Sequence, residues 1–110
     1  MDKIDTYRQL VCDVIGRHAK LSPSHGQIES LPLYDKGNDN YLLMDVGWDN
    51  TGRVHAVVLH VRIQSGKIWF EWDGTEGGIA QELIGLGVPK EDIVLAFYRP
   101  ERRALTEFAA

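Results

Sequence analysis

The sequence is short of cysteine, of long apolar runs and of positive charge. Its single cysteine, Cys12, excludes an internal disulfide and a cysteine-rich zinc site. Within a helical pattern, a lone cysteine is typical of a small hydrophobic side chain at the edge of a core. No run of about 18 apolar residues offers a membrane-spanning helix, and no basic-then-apolar signal segment opens the chain. We therefore expect a cytoplasmic protein with no membrane partner.

The formal net charge of −4 disfavours strong autonomous binding to bulk nucleic acid. Proteins that neutralise many phosphates normally carry a basic face, because counterion release supplies most of that affinity. A local cluster remains at Arg99, Arg102 and Arg103. These arginines are candidates for contact with nucleic acid or with a partner, and any DNA contact is expected to be weak or indirect.

One domain accounts for the whole length. With 110 residues, of which 44% are hydrophobic and 25% charged, the chain lies in the ordinary globular range. That length leaves little room for a second core. Neither an internal repeat nor a low-complexity linker marks a boundary. We therefore treat residues 1–110 as a single domain.

Hydrophobic periodicity predicts an α+β fold. Apolar positions at three- and four-residue steps predict an amphipathic helix over 3–20, ended by the breaker segment 22–26. Alternating patterns between turn residues then predict an antiparallel meander, in which Pro32 indicates an edge strand. The predicted strands are 27–34, 41–49, the central 53–64, and 67–73; Leu42, Met44, Val46 and Trp48 share one face of the second, and Ile68, Phe70 and Trp72 share one face of the fourth.

After the fourth strand the period changes to that of a second helix. Thr75 is its expected N-cap and Gly87 its C′ residue. A short strand is expected over 93–97, followed by a tail anchored by Leu105 and Phe108. The sequence thus predicts an antiparallel meander sheet of about four to five strands, with an N-terminal helix and a second helix packed on one face.

The titratable residues of the predicted strands do not converge on a catalytic or metal site. His55 and His60 are five apart, so an extended strand points them to opposite faces, and His60 is expected to be a hydrogen-bonded core histidine. Lys67, Glu71 and Asp73 share a face by the same alternation, but no third acid is indicated for a nuclease-like Mg²⁺ site. We expect no metal and no cofactor.

The segment Asp73-Gly74-Thr75-Glu76-Gly77-Gly78 is a glycine-rich strand-to-helix turn. Such a turn can cradle phosphate with backbone N–H groups, but its two carboxylates would repel an anion. The lysine of a P-loop and the GxGxxG spacing are both absent. A tight change of direction is the favoured interpretation.

Three tryptophans, Trp48, Trp69 and Trp72, fall on adjacent predicted strands. Alternation along the fourth predicted strand points Trp69 and Trp72 to opposite faces of the sheet. One face of the sheet packs on the helices, so an aromatic side chain on the other face must be exposed or covered. The pattern is compatible with a partner surface, with self-association as a homo-oligomer, and with a covering layer formed by the tail.

An ordered series of motifs runs through about residues 41–109. The blocks are Val46-Gly47-Trp48-Asp49, Lys67-Ile68-Trp69, Asp73-Gly74-Thr75-Glu76, Gly78-Ile79-Ala80, Glu82-Leu83, Gly87-Val88-Pro89-Lys90, Asp92-Ile93-Val94-Leu95, Phe97, Pro100-Glu101, Arg103, Thr106 and Phe108-Ala109. In this order they resemble the XisI family, known from cyanobacteria. Two tail positions depart from the family pattern: Leu105 stands where an aromatic residue is frequent, and Arg102 where an apolar one is expected.

The resemblance implies a controlling factor for excision of the fdxN element. Such a factor acts beside the companion protein XisH and a site-specific recombinase, and the family supplies no catalytic residue to carry onto this chain. We therefore expect a non-enzymatic, protein-binding module. Its candidate partner-binding residues are the three tryptophans and Asp73, Gly74, Thr75 and Glu76.

Three alternatives stay open at this stage. An acidic module could act as an antidote that restrains a partner nuclease. The arginine cluster could contact recombination-site DNA directly. Metal-dependent phosphodiester chemistry could use Glu71 and Asp73.

Overall fold

A five-stranded sheet, in the order β1-β2-β3-β4-β5, organises the chain. The computed structural model describes residues 2–21, 27–75 and 78–109. The first four strands form the predicted antiparallel meander, and β5 pairs with β4 in parallel after the crossover through α2. The elements are α1 (Lys3–Leu21), β1 (Gln27–Asp35), β2 (Asn40–Asp49), β3 (Gly52–Gln64), β4 (Lys67–Asp73), α2 (Ile79–Gly85), a 3₁₀ turn (Lys90–Asp92), β5 (Ile93–Leu95) and α3 (Pro100–Arg103).

The predicted α+β architecture and its hairpins are confirmed. Ser65 (φ 54°) and Gly66 (φ 77°) form the two-residue turn between β3 and β4, with both residues in the left-handed region that such a hairpin requires. Pro32 lies on an edge strand and β3 is central, as expected. The predicted breaker segment 22–26 lies outside the described residues. Among the described helices, none has the length and apolar character needed to cross a membrane.

The core lies between the helices and one face of the sheet, which we call the inner face. Tyr7, Val11, Val14 and Ile15 form the buried side of α1, as the helical spacing predicts. Cys12 packs at the edge of this core, where burial raises the pKa of its thiol. The other fully buried side chains come mainly from β2, β3, β4, α2 and β5: Tyr41, Leu43, Leu59, Val61, Ile68, Phe70, Ile79, Leu83, Ile93 and Val94.

The second helix ends as predicted but begins later. Gly87 (φ 103°) donates to the carbonyl of Ile84 and Val88 donates to that of Leu83, both at 3.0 Å, which is the Schellman pattern. The first helical residue is Ile79, so the prediction that Thr75 is the N-cap is wrong. The physical reason is that the Asp73 carboxylate, not the Thr75 hydroxyl, accepts the N–H of Ile79 at the start of the helix.

Two register shifts change which side chains share a face. Between β2 and β3, Leu43 pairs with Leu59 and Met44 pairs with Val57, which leaves Val58 as an extra residue. Between β3 and β4, the extra residue is Glu71. Each extra residue reverses the inside–outside alternation beyond it. Alternation counted from sequence therefore fails at these two places.

The apolar row predicted for β2 does share one face, but that face does not form the core. Tyr41 and Leu43 point into the core and are buried, whereas Leu42, Met44 and Trp48 lie on the opposite face, which we call the outer face. The helix positions decide this, because α1 packs on the side that carries Tyr41. The more continuous apolar row of β2 is therefore the one turned away from the helices.

An ion-pair network ties α1 to the turn between β1 and β2. The Arg8 guanidinium donates to both carboxylate oxygens of Asp39, at 2.8 and 3.1 Å, and the Tyr41 hydroxyl donates to the same carboxylate at 2.8 Å. The Asp39 carbonyl accepts from the Ile63 N–H on β3 at 3.1 Å. The Arg8 guanidinium holds the pKa of the Asp39 carboxyl below its usual value, despite its partial burial.

Substituting Asp39→Asn removes this charge and keeps a residue type that tolerates the left-handed backbone (φ 53°). We expect the free energy of unfolding at neutral pH to fall by about 1 kcal/mol, because a charge-assisted hydrogen bond is lost. The depressed folded-state pKa means that the contribution is present above the unfolded pKa of about 3.9. It is lost as the pH falls through the folded pKa, so the two proteins should converge in acid.

Urea unfolding measured from pH 7 downward checks this expectation. The matched control is Asp13→Asn, which removes a carboxylate on α1 that is bonded to Gln9 and not to Arg8. Equal losses in the two variants would contradict a specific role of the Arg8–Asp39 pair.

Candidate functional site

The outer face of the sheet carries an apolar surface on the side away from α1. Pairing places Leu33, Leu42, His60 and Trp72 in one row across four strands, and Leu31, Met44 and Val57 in the next. Of these, Leu33, Val57 and Trp72 are exposed, with Trp72 at 55%. We define the outer apolar patch as Leu31, Leu33, Leu42, Met44, Val57 and Trp72.

The two register shifts build this patch. In a regular β3 with no register shift, Val57 would share a face with buried Leu59, and in a regular β4 Trp72 would share a face with buried Phe70. Each shift thus moves one large apolar side chain from the core side to the outer face. Bulges that re-aim a side chain in this way are frequent beside functional sites.

A hydrogen bond connects the two shifts. The Gly74 N–H, one residue after β4, donates to the carbonyl of Val58 at 2.7 Å. A Cβ at position 74 would lie 3.1 Å from that carbonyl oxygen, which is closer than ordinary van der Waals contact. Gly74 therefore lets the end of β4 approach the extra residue of β3 and fixes both irregularities together.

The three tryptophans lie on one face but do not form one cluster. Trp48 is 56% exposed at the far end of β2, with the Arg53 guanidinium 5.5 Å from its ring. Trp69 donates from its indole N–H to the Gln64 carbonyl at 2.9 Å, with Arg103 over its ring at 5.9 Å. The prediction that Trp69 and Trp72 point to opposite faces is wrong, because Glu71 is the extra residue between them.

Of the predicted partner-binding residues after Trp72, Asp73, Gly74 and Thr75 make hydrogen bonds within the fold. Asp73 pairs with Leu59 on the inner face, where one carboxylate oxygen accepts from the Ile79 N–H at 2.9 Å. Its other oxygen accepts from the N–H of Thr75 at 2.9 Å and from its hydroxyl. This carboxylate occupies backbone donors that a phosphate would need. Glu76 lies outside the described residues.

The residues weighed for metal or nuclease chemistry are not brought together. Glu71 faces Arg62 at 3.6 Å, and Asp73 is turned to the inner face, so the expected common face of Lys67, Glu71 and Asp73 is wrong. Among the described residues, no group of three or more His, Cys, Asp or Glu side chains could hold a metal ion.

The two histidines also differ from expectation. The extra residue Val58 places His55 and His60 on the same outer face, opposite Val46 and Leu42. These partners are four residues apart on β2, which is roughly 13 Å along a strand. His60 is partly exposed and bonds Asn40 at 3.1 Å, so it is hydrogen-bonded but does not lie in the core.

The C-terminal arginines have separate roles. Arg103 donates to the Tyr98 carbonyl at 3.0 Å and packs on Trp69, while Arg102 stacks on the Tyr98 ring at 5.1 Å. Arg99 and Arg102 line a shallow depression of about 310 Å³ with Glu101 and Leu105. Two of the three predicted cations thus stay together at the surface.

The tail is anchored differently from the prediction. Leu105 is 87% exposed and is no anchor, whereas Phe108 packs against the core as expected. Ala109 donates to the Ile93 carbonyl at 2.9 Å and bridges Val94, so the tail extends the sheet at the β5 edge, while Arg103 covers Trp69 on the outer face. The outer apolar patch lies beyond this cover.

These features define a small α+β protein whose mostly antiparallel sheet holds helices on one face and open apolar side chains on the other. The whole chain, residues 1–110, matches the family model described as XisI protein. The chain therefore belongs to the XisI family. A comparison with curated proteins gives no match.

Two crystal structures from Anabaena variabilis are similar over their full length. A XisI-like protein is 32% identical, with a TM-score of 0.90 and coverage of 99% of each chain. The fdxN element excision controlling factor XisI is 38% identical, with a TM-score of 0.84 and coverage of 98% of each chain. The predicted family resemblance is confirmed.

Substituting Asp73→Ala tests whether this residue stabilises the fold. Losing its bonds to Thr75 and Ile79 should lower the free energy of unfolding by about 1–2 kcal/mol, as loss of a helix cap does. Urea unfolding measures the change, and Asp73→Asn, which keeps one acceptor oxygen, should lose less. An unchanged midpoint in both variants would contradict the capping role.

Proposed function

We propose that this chain is a non-enzymatic controlling factor of programmed DNA element excision that acts through protein partners docked on the outer apolar patch. Two findings support this. The chain belongs to the XisI family, and a full-length structural relative is an fdxN element excision controlling factor. The surface that the fold leaves open is suited to a protein partner.

One observation carries the proposal: the continuous apolar row of β2 is turned away from the helices. Fully burying a large apolar side chain contributes roughly 1.5–3 kcal/mol. A chain selected for its own stability alone would turn Leu42 and Met44 to the core and would not use register shifts to bring Val57 and Trp72 beside them. A partner that covers this patch recovers the burial.

The partner that we propose is a XisH-like companion protein, with a site-specific recombinase as a further member of the assembly. Exposed aromatic side chains are frequent anchors of protein interfaces. Trp72 ends one row of the patch, and Trp48 lies on the same face at the far end of β2. Trp69 is less suited, because Arg103 already covers its ring. The docking residues thus differ in part from those proposed from the sequence.

The acids weighed for catalysis have other tasks. Asp73 uses both carboxylate oxygens as hydrogen-bond acceptors for the start of α2, and Glu71 pairs with Arg62. These contacts support a role that depends on binding and does not use these residues in chemistry.

Substituting Val57→Asp should weaken binding to the companion protein at least tenfold, because a carboxylate would be buried in an apolar interface. The matched control is Leu105→Asp, which makes the same chemical change at a more exposed site off the patch. Isothermal calorimetry with the cognate XisH-like protein measures both, after circular dichroism has shown that each variant is folded.

The proposal would be overturned if the wild-type chain did not bind the companion protein at micromolar concentrations. Equal weakening by the control would place the docking site elsewhere. If the companion alone cleaves DNA and the complex does not, the same face serves an antidote role.

Direct DNA contact is a second candidate, favoured by the exposed pair Arg99 and Arg102. When the logarithm of the association constant is plotted against the logarithm of the salt concentration, each phosphate contact contributes about −0.9 to the slope. Two arginines therefore predict a slope near 2 in magnitude.

Arg99→Glu with Arg102→Glu should abolish that slope if these residues contact DNA. Fluorescence anisotropy with recombination-site duplexes from low to moderate salt provides the measurement. Arg53→Glu is the control, since it reverses the charge of an arginine beside Trp48 at the start of β3, outside the C-terminal segment. Binding that is absent at low salt removes this candidate.

A further inference from the structure

We infer that the open edge of β1 and the groove between β1 and α1 bind an extended acidic segment of a protein by strand addition. This surface is separate from the outer apolar patch and goes beyond the proposed function. The sheet order ends on β1, and within the described residues only β2 pairs with it. All nine residues of β1 are exposed or half-buried, and Ser30, Pro32 and Tyr34 line the groove.

Pro32 reveals which backbone groups face the open edge. It pairs with Leu43 in an unbroken register, yet it has no N–H to give to β2. Its backbone polar side must therefore face away from β2. Because strand geometry repeats every two residues, the N–H groups of Ile28, Ser30 and Tyr34 face the same way. An added strand can pair with Ile28 and Ser30, and Pro32 limits how far the pairing continues.

The groove beside this edge has a volume of about 800 Å³. Its α1 wall contains small residues, Gly16 and Ala19, and its β1 wall contains Ser30, Pro32 and Tyr34. A Cβ at position 16 would lie 3.1 Å from the Tyr34 hydroxyl, which itself donates to the Cys12 carbonyl at 3.1 Å. Gly16 therefore lets the Tyr34 hydroxyl reach the helix backbone and close one end of the groove, and the side chains of an added segment would lie in the remaining volume.

The charge of the groove selects an acidic segment. Arg17, Lys20 and Lys36 line it, against the single carboxylate of Asp13. Arg17 pairs with Glu82, but neither Lys20 nor Lys36 joins an ion pair among the described residues. In a chain of net charge −4, this is a local excess of positive charge. Strand addition gives affinity through the backbone and specificity through such flanking groups.

The test uses a fluorescein-labelled peptide of alternating valine and glutamate and the full chain, with anisotropy as the readout. Saturable binding is expected. Ser30→Pro removes one edge N–H and should weaken binding about tenfold. Ser30→Ala is the matched control: both variants lose the hydroxyl bond to Asp45, but the alanine variant keeps the N–H and should bind like wild type.

Two further variants test the positive charge of the groove and the independence of the groove from the outer apolar patch. The double variant Lys20→Glu with Lys36→Glu should weaken binding of the acidic peptide at least tenfold. Val57→Asp, on the outer apolar patch, should leave peptide binding unchanged while it weakens binding of the companion protein. Failure of one surface is thus distinguishable from failure of the other.

Amide hydrogen exchange of the wild-type chain provides a readout that needs no variant. Added peptide should slow exchange at Ser30, even if Ser30→Pro does not fold. Equal binding of a peptide with lysine in place of glutamate, equal losses in the two Ser30 variants, or unchanged exchange at Ser30 would each overturn the inference. Displacement of the peptide by duplex DNA would assign the groove to nucleic acid instead.

Discussion

The hydrogen bond from the Gly74 N–H to the Val58 carbonyl is the contact on which the two faces of this protein depend. It joins an extra residue in β3 to the turn that follows an extra residue in β4. Since each extra residue reverses the alternation of its strand, the pair decides together which side chains are buried and which remain open. The core and the outer apolar patch are therefore set by one local arrangement of backbone.

Most of the fold could be predicted from local patterns. Strand and helix positions, the I′-type turn at Ser65 and the C′ role of Gly87 follow from residue types and periods that act over a few positions. The faces could not be predicted in the same way. Alternation assumes an unbroken strand, and nothing in the residue types at Val58 or Glu71 marks a register shift.

The candidate site was predicted in part for the same reason. The tryptophans could be predicted as candidates for a partner surface, because a large aromatic side chain on a sheet must be either covered or exposed. Leu31 and Leu33 could not, because residue types on an edge strand with a proline do not show which face of the strand packs on the helices. The sequence did hold a signal in Tyr41 and Leu43, which make the other face of β2 apolar as well. When both faces of a strand are apolar, each face is expected to be covered, either by another element of the fold or by a partner.

Pro32 also affects self-association of this protein. A chain with an open strand edge and an open apolar face carries the two features that favour fibril growth. Continuous edge-to-edge zippering needs an unbroken row of donors, and the missing N–H of Pro32 interrupts that row near its middle. The missing N–H of Pro32 thus opposes edge-to-edge stacking between copies of this chain.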